Sequence, residues 1–177
     1  FDVPVEAASW MVSMLPFATV VFAPIFGLLV DKIGHGTRWM LTGAVLALIA
    51  HLMLAFAPSG IPFYGYLSMV FLGFGYSLVP AAMWPSVPKI VPNKVLGTAY
   101  SLIYWVQNLG LMSFKMFAGK ILADTNLDKG VSEAGAFWVE VMFVAVCVVA
   151  LLLALSLSVY SRRNPHLKMD VPDRAVK

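Results

Sequence analysis

Five long apolar runs, separated by short polar breaks, dominate the chain. They cover residues 8–30, 39–57, 62–87, 95–122 and 136–160. Each reaches or nearly reaches the ~20 apolar residues that a helix needs to cross the hydrocarbon core of a bilayer. The runs are continuous rather than alternating, which excludes the short in-out strands of a membrane β-barrel. The pattern predicts five transmembrane helices, with connections short enough for a tight bundle.

The polar breaks also predict a direction. Basic residues collect after the first run (Lys32, Arg38), after the third (Lys89, Lys94), and in the tail (Arg162, Arg163, Lys168, Arg174, Lys177). The other ends carry Asp2 and Glu6, the uncharged Pro58, Ser59 and Gly60, and Asp124, Asp128 and Glu133 against Lys129. Positive loops face the cytoplasm. The chain is therefore expected to start outside or in a lumen and to end in the cytoplasm. Its membrane is expected to be a plasma or bacterial inner membrane, or the lysosomal membrane in an animal cell. Residues 1–161 read as a partial transmembrane bundle, and residues 162–177 as a disordered cytoplasmic tail whose basic residues suit anionic lipid.

Composition narrows the class. The 177 residues are 60% hydrophobic and 12% charged, against about 25% charged in soluble domains. A net charge of +3 gives no nucleic-acid footprint. The single cysteine, Cys147, rules out an internal disulfide or a cysteine-based metal cluster. His35, His51 and His166 stand without companions that would make a metal site or a nucleophile–base pair. Gly73-x-Gly75 lacks the third glycine and the strand of a dinucleotide site. The reading is a membrane protein with no enzyme activity, cofactor or metal. Residue 1 is Phe and no basic segment precedes an apolar core, so the start is not a signal peptide. The chain reads as truncated or processed.

A motif follows the first run: Gly27, Leu29, Asp31, Lys32 and Gly34, with Arg38 beyond it. Gly27 is expected to let two helices approach closely. Gly34 and Gly36 are expected to take positive φ and close the turn, with Asp31 and Lys32 at the membrane surface. This stretch resembles the signature of the major facilitator superfamily, Gly-x-Leu-x-Asp-(Arg/Lys)-x-Gly followed by two basic residues. It departs at His35 and Gly36, where basic residues are usual, as the weaker second copy in that family also does. The resemblance implies the eighth to twelfth helices of a twelve-helix transporter, an all-α membrane fold whose N-terminal half lies outside this chain. It also implies that Asp31 rests against a helix N-terminus of that other half, where the dipole favours an anion. The start of the fourth run, at Leu96 to Thr98, would receive the matching aspartate. Further phrases, among them Gly75-Tyr76-Ser77-Leu78, Trp84-Pro85, Leu96-Gly97-Thr98-Ala99-Tyr100 and Gln107-Asn108-Leu109-Gly110-Leu111, resemble one branch of the superfamily. Its members are lysosomal exporters of dipeptides, with an accessory glycoprotein in animals.

The polar residues inside the runs are the candidate pathway. Tyr100, Tyr104, Gln107, Asn108 and Lys115 share one side of the fourth run, opposite Leu102, Val106, Leu109 and Phe117. A polar stripe in a membrane helix faces the bundle interior or a water-filled cavity. Lys115 reads either as a carboxylate or proton ligand or as a snorkelling cation, and Lys120 as snorkelling. Gln107 and Asn108 suit either substrate or interhelical hydrogen bonds. Tyr76 and Trp84 join the set from the third run, where Pro80, Pro85 and Pro88 are expected to kink or end the helix. Ser9, Ser13 and Thr19 add modest polarity to the first run. His51 reads as packing and Glu140 as interfacial. The expected function is transport of a small polar solute by alternating access, with dipeptides or related amino-acid compounds as cargo, protons as a candidate partner, and lipids around it. Sugars or organic anions, and a non-catalytic membrane scaffold, are the competing readings.

Overall fold

The computed structural model describes residues 4–58, 60–125 and 133–172. Asp2, Ser59, Asp128, Lys129, Arg174 and Lys177 lie outside the described residues, as does the side chain of Asp124. Five helices appear where the apolar runs lie: α1 (Val5–Ile33), α2 (Gly36–Phe56), α3 (Pro62–Ile90), α4 (Leu96–Thr125) and α5 (Glu133–Arg163). Short 3-10 turns at Asn93–Val95 and Pro165–Leu167 follow α3 and α5. Among the described residues, α1, α2, α3 and α5 are long and apolar enough to cross a membrane. The 30-residue α4 is long enough but is made less apolar by its tyrosines, its two amides, Lys115 and Lys120.

The helices match the apolar segments to within a few residues: α1, α3, α4 and α5 extend three residues past their C-terminal ends, and α2 starts three residues early and stops one short. Pro80, Pro85 and Pro88 do not end α3, which continues to Ile90. It stops just before Pro92, whose ring disfavours α geometry in the residue ahead of it.

The packing order is α1 on α3, α3 on α2, α2 on α5 and α5 on α4, with a narrow contact from α3 to α4. Small residues set the closest approaches, as expected where lipid removes the hydrophobic drive between helices. A Cβ at Gly75 would lie 2.8 Å from the Gly43 carbonyl oxygen, and one at Gly43 would lie 2.7 Å from a Val79 methyl. One at Gly73 would meet the Cβ of Ala18 at 3.0 Å. Thus Gly73 and Gly75 are contact points for α1 and α2. At Gly27 the expectation fails: a Cβ there meets nothing within 4 Å.

Hydroxyls inside the helices are satisfied locally. Ser13, Thr19, Ser68, Ser77 and Ser86 each donate to the carbonyl four residues back, at 2.7–3.0 Å. Helices in lipid must pair their polar groups internally, and this pairing keeps Ser13 and Thr19 engaged with α1's own backbone.

The tail departs from its expected disorder. Residues 164–172 turn back under the bundle, and Met169 is only 2% exposed. Specific side-chain contacts, described below, hold it there. Residues 173–177 lie outside the described residues.

Candidate functional site

Three of the pathway candidates form one cluster where the end of α3 faces the start of α4. The rings of Trp84 and Tyr104 stack at 4.8 Å with 26° between planes. Tyr100 lies against the same indole at 5.6 Å and donates its hydroxyl proton to the Trp84 carbonyl at 3.2 Å. The short connection at Val91–Val95 brings these residues together from 16 and 20 positions apart. Offset aromatic pairs of this kind contribute ~0.5–1.5 kcal/mol beyond their buried area. The cluster keeps one wall open: Tyr104 remains 53% exposed.

Gln107, Asn108 and Lys115 continue from this cluster along α4, and all three are exposed. Asn108 donates through Nδ2 to the Tyr104 carbonyl at 2.8 Å, leaving its amide oxygen to accept. Tyr76, eight residues before Trp84 on α3, is also exposed. The opposite side of α4 is exposed too, at Leu102, Val106 and Phe117, so burial within this chain does not distinguish the polar stripe from its back. None of the pathway candidates lines the apolar clefts of about 420 Å³ between α2, α3 and α5 or about 400 Å³ between α1 and α3.

The motif residues gather at the α1–α2 turn. Gly34 takes φ +75°, as expected. Gly36 does not: it is the first residue of α2, and the second left-handed residue is His35, with φ 59°. Gly36 is needed for space instead, since a Cβ there would lie 3.1 Å from Ser86 Oγ and 3.3 Å from the Met169 carbonyl. Trp39 closes the turn by donating from its indole to the Gly34 carbonyl at 2.9 Å. Asp31 is half-buried, while Lys32 and Arg38 are exposed.

His35 precedes α2 without a capping side chain, and the tail supplies one. The Asp170 carboxylate accepts from the Thr37 N–H at 3.0 Å, the Thr37 hydroxyl at 2.8 Å and the Ser161 hydroxyl at 2.7 Å. An anion is favoured at a helix N-terminus, where backbone donors and the dipole meet it. Burial pushes the Asp170 carboxyl upward. The hydrogen bonds from Ser161 and Thr37, with the charge of His35, outweigh that and hold it below its usual range.

One interhelical pair escaped the sequence reading. His51 on α2 and Glu140 on α5 meet at 2.7 Å, with side chains 13% and 23% exposed. The His51 ring also stacks on Phe143 at 5.1 Å. His51 is thus more than a packing residue, and Glu140 is more than an interfacial one. A lone histidine in one apolar run and a lone carboxylate in another are the available signal. Ionisable groups inside membrane helices pair with one another.

Comparison with known proteins follows the same lines. The family model for the Major Facilitator Superfamily matches residues 1–176. The chain is 37% identical over 158 residues to the lysosomal dipeptide transporter MFSD1 of Mus musculus, covering 89% of this chain and 31% of that protein. It is 40% identical over 147 residues to the Bos taurus protein of the same name, covering 83% and 29%. For the Danio rerio protein the figures are 34% over 158 residues, 89% and 31%. The chain therefore spans about a third of the length of these relatives.

Proposed function

The chain belongs to the major facilitator superfamily, and we propose that it forms the eighth to twelfth helices of a transporter that moves a small polar solute by alternating access. The observation that carries this reading is the open aromatic cluster of Trp84, Tyr100 and Tyr104 at the head of α4's polar stripe. In a bilayer an exposed amide or lysine in hydrocarbon is costly, and such residues face a cavity or a protein partner. Gln107, Asn108 and Lys115 then turn towards the transport path and the other half of the protein.

The cargo we propose is a dipeptide or a related amino-acid compound. Lys115 offers a cation for a carboxylate. Gln107 and Asn108 offer donors and acceptors to a peptide group, and the aromatic cluster offers a face for an apolar side chain or an ammonium. The named activity of the MFSD1 relatives supports the choice, and a lysosomal membrane with it. The cytoplasm lies on the side of the α1–α2 turn and the tail, where the basic residues gather. Asp31 acts there against a helix N-terminus of the other half, stabilising one end-state of the rocking motion. Protons remain the candidate coupling ion.

Uptake of a radiolabelled dipeptide into vesicles carrying the whole transporter tests this. Lys115→Met is expected to lower uptake at least about tenfold, the loss of one charge-assisted hydrogen bond. Trp84→Ala and Gln107→Leu are expected to raise KM. Undiminished uptake in all three variants would remove α4 from the path. Transport of a sugar acid but of no dipeptide would replace the cargo while keeping the path.

A further inference from the structure

We propose that residues 164–172 form an intramolecular strap that holds the ends of α1, α2, α3 and α5 on one side of the bundle as a single unit, with Asp170 as its positioning residue. The strap reaches every one of those helix ends. The His35 N–H donates to the Asp170 carbonyl at 2.8 Å, which ties the α1–α2 turn. The Asp170 carboxylate takes the Thr37 N–H and hydroxyl at the start of α2 and the Ser161 hydroxyl near the end of α5. Lys89, on the last turn of α3, donates to the Val171 carbonyl at 3.0 Å.

Steric fit is as specific as the polar contacts. A Cβ at Gly34 would come within 2.6 Å of the Asp170 carbonyl and 2.8 Å of Pro172. Gly36 is crowded by the Met169 carbonyl. The two glycines of the turn thus leave room for the strap. Met169 buries its side chain beside the apolar cleft between α2, α3 and α5. Met169 is the strap's one fully buried side chain, with Leu167, Val171 and Pro172 only half-buried, and one carboxylate accepts from three of its donors. The strap is therefore a low-stability unit that opens locally while the bundle stays folded. When it opens, the α1–α2 turn loses the cap of α2 and the brace to α3. The consequence for transport rests on the proposed function; the docking of the strap does not.

The test uses the full chain in lipid nanodiscs, with Cys147→Ala removing the one native thiol. A cysteine reporter at Met169→Cys is labelled with a polar maleimide, and His166→Cys serves as the exposed reference. The Met169 reporter is expected to react at least about tenfold more slowly than the reference. Adding Asp170→Asn is expected to restore most of that rate, and Thr37→Ala part of it, while Thr37→Ser keeps protection. Trypsin cleavage after Lys168 in the chain without reporter cysteines gives a second reading in the same order, and cleavage after Lys115 and Lys120 within α4, unchanged when only the strap opens, guards against a variant that fails to fold. Equal labelling of the two reporters, or no effect of Asp170→Asn by either method, would overturn the strap. In the whole transporter, Asp170→Asn is expected to lower turnover with KM unchanged. A KM change at constant turnover would place Asp170 on the substrate instead and refute its positioning role.

Discussion

Replacing Gly75 by Ala is the most exacting check on the helix packing that supports the candidate path. The added methyl would sit 2.8 Å from the Gly43 carbonyl oxygen and 3.2 Å from the Ala47 nitrogen. Both are backbone atoms of α2, so no side chain can swing aside. Relief requires α2 and α3 to separate by roughly half an ångström, and overpacking of this kind costs ~1–3 kcal/mol. Alanine also favours the helix by ~0.5–1 kcal/mol over glycine, which hides part of the loss. Gly119→Ala is the matched control, because a Cβ there meets nothing within 4 Å while the helix gain is shared. The difference between the two variants isolates the clash. At ~2–4 °C per kcal/mol for a chain of this size, Gly75→Ala should melt roughly 2–12 °C below Gly119→Ala in the same detergent. Equal melting temperatures would refute the close approach of α2 and α3. A lower value for Gly119→Ala would refute the exposure of α4 as well.

Three further outcomes are expected. Glu140→Leu leaves His51 without its partner between α2 and α5 and should destabilise the chain by ~1–3 kcal/mol, the cost of leaving a largely buried polar group unpaired. The double variant with His51→Phe should recover part of that in a thermal melt, and additive losses would deny the pairing. Tyr100→Phe deletes the hydrogen bond to the Trp84 carbonyl but keeps the ring, so it should cost no more than ~1.5 kcal/mol. Trp84→Ala should cost more, and the reverse ranking in denaturant melts would contradict the cluster. Asp170 is held below the ordinary carboxylate range. Its ionised contacts thus add stability above the unfolded pKa, and that stability is lost as pH falls through the lower folded value. A carbon-13 titration of Asp170 should show a midpoint below that of a free aspartate, and an elevated midpoint would contradict the capping contact.

The five helices, the tight turn after α1 and the membrane class were legible because each is written locally. Twenty consecutive apolar residues have one physical solution in a bilayer, and Gly34 marks a left-handed position. Helical period alone groups the tyrosines and amides of α4 on one side, a side that burial within this chain does not separate from its back. What was missed depends on distant partners. Asp170 lies 133 residues from Thr37, and His51 lies 89 residues from Glu140. The polar tail looked free of structure because its anchoring comes from one carboxylate and one buried methionine, not from a periodic apolar face. Sequence points to backbone conformation at Gly36, whereas a Cβ there would crowd Ser86 and the Met169 carbonyl, so space is its role, a distinction that only the packed tail decides.

Sequence alone determined which segments form long helices, and among the described residues made four of them apolar enough to leave water, since apolar transfer depends on composition and length and not on neighbours. It also determined the family, because the turn motif keeps its spacing at Gly27, Leu29, Asp31, Lys32 and Gly34. Tertiary structure decided the rest. It set which glycines are crowded, stacked Trp84 on Tyr104, paired His51 with Glu140, and docked Asp170 on α2. Each of these is a contact of a few ångströms between residues far apart in the chain. Such contacts depend on how helices of similar hydrophobicity choose their neighbours, and the linear pattern carries little information about that choice.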